Sequence, residues 1–152
     1  MMSGAITRMD EACVAVMDRL AAEADGGLLA GVGVSYAMKE LALRQIYGGS
    51  ARFDQESTVA EQVGLLNVER IVFTIYIRCV RRPVCDVRET DAEASAIKAV
   101  IARVFAKNPQ LAGDMTWLGV SGGYRDYSIN DQETVSVHTL EMLVQAYVSW
   151  GS

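Results

Sequence analysis

Residues 135–148 read Val135-Ser-Val-His-Thr-Leu-Glu-Met-Leu-Val-Gln-Ala-Tyr-Val148. Leu140, Met142, Val144, Ala146 and Val148 share one phase of a period-two pattern, and Thr139, Glu141, Leu143, Gln145 and Tyr147 share the other. Alternate side chains of a strand point to opposite faces, so this segment predicts a long strand with one apolar and one mixed face. The apolar face calls for a covering layer of helix. The mixed face, with Leu143 and Tyr147 among polar residues, suits a subunit contact or solvent.

Working outward, Val68 to Val80 carries the same signal. Ile71, Phe73, Ile75, Ile77 and Cys79 alternate with Arg70, Val72, Thr74, Tyr76 and Arg78, β-branched and aromatic residues predominating. Two helices are expected beside these strands. Around residues 8–25, Met9, Cys13, Val16, Leu20 and Ala24 recur at helical steps, Thr7 with Asp10 makes a near capping box, and Gly26-Gly27 closes the run. Around residues 91–107, Thr90-Asp-Ala-Glu93 reads as a capping box, and Ile97, Val100, Ile101, Val104 and Phe105 form a stripe ending at Asn108-Pro109.

The remaining segments predict strands and turns. Val32, Val34 and Tyr36 suggest a short strand, and residues 38–47 read better as strand than as helix. Gly48 to Asn67 predicts a long polar loop or hairpin extension, with a helical turn near Val59 to Val63. Arg81-Arg82-Pro83 breaks the strand before it. Two short strands, about Met115–Val120 and Tyr124–Ile129, are expected around a Ser121-Gly122-Gly123 turn, with another turn at Asn130-Asp131-Gln132. The fold class that follows is α+β: a mostly antiparallel β-sheet with two amphipathic helices packed on one face.

The chain has 152 residues, 51% of them hydrophobic and 22% charged, which suits a single globular domain. Its net charge of −5 disfavours a protein that grips nucleic acid through phosphates. Arg78, Arg81, Arg82 and Arg88 are the local exception, read either as a solvated strand end and turn or as charged contacts between subunits. The N-terminal residues lack the pattern of a signal peptide, and no apolar run is long enough to span a bilayer. A protein made in the cytoplasm, away from membranes, is expected.

Catalytic chemistry finds little support. His138 is the single histidine and lies in phase with Leu140 and Met142 on a strand, so no nucleophilic triad can be assembled around a second one. Asp86 with Glu89, and Asp91 with Glu93, are explained by a turn and a helix start, where negative charge is favourable. Cys13, Cys79 and Cys85 lack metal-ligand spacing and read as reduced structural thiols. Gly31-Val-Gly33-Val-Ser35 lacks the later glycine and lysine of a phosphate-binding loop. Trp117, Tyr124 and Tyr127 could stack on bases or sugars, but cross-strand packing accounts for strand aromatics. No catalytic, cofactor-binding or metal-ligating residue is expected, and an enzyme is not the reading.

Thr90-Asp-Ala-Glu-Ala94, Asn108-Pro-Gln-Leu-Ala-Gly113 and Trp117-Leu-Gly-Val-Ser121 stand within an order of helix, strands, long loop, long strand, capped helix and antiparallel strands. In these features the chain resembles the tail terminator proteins of tailed phages and of gene transfer particles, with Ala112 where the family carries the first of two glycines. The resemblance implies a virion protein of the tail or neck that forms a hexameric ring on the tail tube protein. That ring stops tube polymerisation and joins the tail to the head–tail connector protein, and it implies no catalytic residues. DNA would be passing cargo, which an acidic lumen would not hold. On this reading the assembly interface draws on Arg52, Phe53, Glu56, Arg78, Arg81, Arg82, Arg88, Leu143 and Tyr147. The alternatives are another neck, head-completion or minor tail protein, or a small cytosolic ligand-binding α+β domain.

Overall fold

A computed structural model describes residues 6–38, 42–60 and 64–150. The element order is α1 (Met9–Ala24), β1 (Gly33–Ser35), β2 (Arg44–Ala60), β3 (Gly64–Arg81), α2 (Val87–Lys107), β4 (Thr116–Ile129) and β5 (Thr134–Trp150). The strands form one sheet in the order β1-β2-β3-β5-β4. The β1–β2 pair is parallel, and every other neighbouring pair is antiparallel. This is the α+β architecture that the alternating patterns predict.

The register explains the core. Ile71, Phe73 and Ile75 lie opposite Val144, Met142 and Leu140, and residues directly opposite in an antiparallel pair share a face. All six belong to one apolar cluster with Ala12, Val16 and Leu20 of α1 and Ala94, Ile101 and Phe105 of α2. Both helices therefore cover the same face of the sheet. Each such large side chain taken fully out of water is worth about 1.5–3 kcal/mol. Phe105 stacks on Trp117 with ring centroids 5.7 Å apart, which fastens the end of α2 to β4.

Several local expectations change. Of the long loop or hairpin extension expected over 48–67, the structure has the hairpin, and its arms are paired: β2 and β3 remain in register from Ala51↔Phe73 to Ala60↔Gly64. Ladder hydrogen bonds use the backbone alone, so a polar segment keeps them wherever a neighbouring strand is supplied. Of the helical turn expected near 59–63, Val59 and Ala60 are strand, while 61–63 lie outside the described residues. The strand expected over 38–47 starts at Arg44, with 39–41 also outside them.

The glycines at 119, 122 and 123 mark bulges in one continuous β4, not a turn between two strands. Register shifts fall between Trp117 and Gly119 and between Val120 and Gly122, and Gly119 adopts φ +128°, a left-handed conformation that favours glycine. Nor does Thr90 cap α2. The helix begins one turn earlier, where the Asp86 carboxylate accepts the Arg88 N–H at 2.9 Å. Thr90 is buried inside the helix, its hydroxyl donating to the Val87 carbonyl at 3.1 Å. At α1 the near capping box is also replaced. The Thr7 hydroxyl accepts the Met9 N–H at 3.1 Å, and the Glu69 carboxylate of β3 accepts the Arg8 N–H at 2.7 Å.

Candidate assembly surface

With the helices on one face, the opposite phase of every strand lies on a face that neither helix covers. Three successive rows run across it: Arg52–Val72–Leu143, Asp54–Arg70–Gln145 and Glu56–Val68–Tyr147. Arg52 and Glu56 are exposed, Tyr147 is 38% exposed, and Val72 and Leu143 are half-buried. The Gln145 side-chain amide reaches toward the Tyr147 hydroxyl at 3.4 Å. The patch combines the apolar Val72, Val68, Leu143 and Tyr147 with an exposed Arg70 at its centre and charged residues along its β2 border, a mixed composition that can meet another protein.

Four of the nine residues singled out from the sequence, Arg52, Glu56, Leu143 and Tyr147, come together there. Arg78 shares the face but lies six residues beyond Val72, about 20 Å along β3, in the row Gln45–Arg78–Val137. Its Nη1 is buried with no hydrogen-bond partner among the described residues. Phe53 pairs with Ile71 and so belongs to the helix-covered face, 37% exposed. The remaining arginines close the opposite end of the sheet in pairs within the chain. Arg81 bonds Glu93 at 2.7 Å and Glu89 at 3.3 Å, Arg82 bonds Glu133 at 2.8 Å, and Arg88 bonds Asp86 at 2.7 Å. The Arg88 guanidinium and its backbone N–H hold the Asp86 carboxyl at about 2.

On the uncovered face near Arg78, Tyr47 and Tyr76 stack with centroids 5.1 Å apart. With Tyr124, Asp126 and Thr139 they line a hollow of about 280 Å³. Gly49 permits this packing, and Gly48 admits the Tyr36 backbone and the Phe73 ring on the other face. A Cβ on Gly48 would meet the Tyr36 carbonyl oxygen at 2.5 Å, and one on Gly49 would meet the Tyr76 ring at 2.3 Å.

Two polar clusters escaped the sequence because their members are far apart in the chain. In the first, the wholly buried Glu69 also accepts the Gln55 amide at 2.7 Å, and Gln55 accepts from Asn67 at 3.2 Å. In the second, Asp91 of α2 accepts the Ser136 hydroxyl at 2.8 Å, lies 3.0 Å from His138 Nε2, and pairs with Arg125. The bond to His138 is the largest cause that holds the Asp91 carboxyl below its ordinary value. Ser136 and Arg125 act the same way, against partial burial. Ser136 bonds Asp91 and Thr90 and not the imidazole, so the hydroxyl–imidazole contact of a nucleophilic relay is not formed. The arrangement ties the first two turns of α2 to β5. Burial pushes the Cys13 thiol up to about 11 and the Cys79 thiol up to about 12, the unreactive setting of packing cysteines. Among the described residues no group of three or more His, Cys, Asp or Glu is placed to hold a metal ion. No helix there is long and apolar enough to cross a membrane.

In fold, the chain is similar to a protein of a virus-like particle. The likeness is to a chain in the structure of the virion of a native gene transfer agent (GTA) particle, with a TM-score of 0.51 and 15% sequence identity. It covers 88% of this chain and 94% of the other. At that identity the shared property is the fold. No protein-family model matches the chain, and no curated protein sequence matches it either.

Proposed function

We propose that this chain is a structural virion protein and, within that class, a tail terminator. It would form a ring, hexameric by the family resemblance, that caps the tail tube, stops its growth and docks on the head–tail connector. The observation that carries the reading is the fold likeness, which spans nearly all of this chain and of a chain from a gene transfer agent virion. The resemblance in residues from Thr90 to Val148 supports the narrower role. On this reading the rows through Leu143 and Tyr147 meet a neighbouring virion protein, and DNA passes through the ring as cargo. The protein works by binding and needs no catalytic group.

The test is tube capping. Purified protein added to polymerising tail tubes is expected to bind tube ends as rings and to narrow the length distribution seen by electron microscopy. Unchanged lengths with bare tube ends would overturn the terminator role. Rings that bind the connector and ignore tubes would assign the chain to the neck instead.

A further inference from the structure

Two hollows run along α1 and meet at Arg19. The first, about 680 Å³, is bordered by Asp10, Glu11 and Asp18 over a floor of Val14, Leu111 and Met115. The second, about 1080 Å³, is bordered by Arg103 and Lys107 beside Leu28 and Val104. Together they make one trough that is acidic along α1 from Asp10 to Asp18 and basic where Arg103 and Lys107 border it. Asp10, Val14 and Asp18 stand at successive four-residue steps, hence in one line along the helix. Arg103 and Lys107 are spaced likewise on α2.

The charges at the two ends are largely free. Among the described residues Asp10, Asp18, Arg103 and Lys107 join no ion pair, whereas Glu11 is paired with Arg8. In the basic half Glu23 is turned onto the Leu28 N–H at 3.1 Å. Arg19 at the junction is spent on the carbonyls of Asn108 and Gln110 and lies over the Phe105 ring. Each half also exposes an apolar side chain, Val14 at 44% and Leu28 at 64%.

We infer that this trough binds a second copy of the chain, placed antiparallel across a two-fold axis near Arg19. A surface that is acidic at one end and basic at the other complements itself under such a rotation: what i offers j, j offers i. Asp10 and Asp18 of one copy face the partner's Arg103 and Lys107 twice over, and Val14 meets the partner's Leu28. The occupant is chosen by charge, since an acidic or a basic partner would match only one half. This contact is separate from any ring on a tail tube, and its test needs no tube.

The experiment reverses the charges and follows mass by sedimentation and native mass spectrometry. The unaltered chain is expected to form a dimer that weakens as salt rises. Asp10→Lys with Asp18→Lys makes both halves basic, and Arg103→Glu with Lys107→Glu makes both acidic. Each double variant is expected to lose at least about tenfold in self-association. Mixed in equal amounts, the two are expected to form a heterodimer, because both contacts are then attractive. That rescue also shows that both variants are folded. A monomeric unaltered chain at low salt, reversal without effect, or a mixture that stays monomeric would each overturn the inference.

Discussion

Asp91 joins three side chains to the second turn of α2, and two of them, Ser136 and His138, are buried. Removing the carboxylate leaves His138 Nε2 without a partner, while Ser136 keeps Thr90, and a buried polar group left unsatisfied costs about 1–3 kcal/mol. Its pKa is lowered from 3.8 in the folded chain, so its contribution is fully present above the unfolded value and is lost as pH falls through the folded one. Urea unfolding of the wild type and of Asp91→Asn should therefore differ most near neutrality and converge below about pH 4. A gap that stays constant into acid would count against the ionised pair. Gly49→Ala places a methyl against the Tyr76 ring and is expected to lower stability by about 1–3 kcal/mol, read from the urea midpoint. At this scale, burial phase was legible: Ile71, Phe73, Ile75, Ile77 and Cys79 are all buried as the alternation predicts. The α2 cap was not. Asp86 and Thr90 stand one turn apart and both suit a cap, and only the contact between Thr90 and Ser136, at 2.7 Å, draws Thr90 inside.

The long hairpin is the element whose role separates most cleanly from the rest. Its outer part pairs in both directions by backbone, β2 with β3 and β3 with β5, and lies beyond the rows that pack on the helices. Ser57 and Asn67 are register partners, so residues 58–66 can be replaced by an Asn-Gly turn joining them, which keeps the buried Asn67 and its bond to Gln55. The shortened chain is expected to keep its circular dichroism spectrum and its urea midpoint while losing tube capping. Normal capping would free the hairpin of an assembly role, and a collapsed midpoint would make it part of the core. Strand existence was legible where side chains alternate, as in β3 and β5. It was not legible in 48–67, where polar side chains carry no phase, nor in β4, where glycine suits a turn and a bulge equally well.

At the scale of the whole molecule, two helices serve one face of a sheet whose strands are up to 18 residues long. Covering one face leaves the rows through Leu143 and Tyr147 and the trough along α1 as separate surfaces, one for the proposed virion contact and one for the inferred two-fold contact. The sequence by itself determined the two helices, the strands β3 and β5 and the apolar phase that each of them buries, because those follow from periodicity and local chemistry. Tertiary structure alone decided the strand order, the register that gathers Arg52, Glu56, Leu143 and Tyr147, the burial of Glu69, and the bonding of Asp91 to β5. Those depend on which distant segments become neighbours, and a chain's local pattern holds no record of its neighbours.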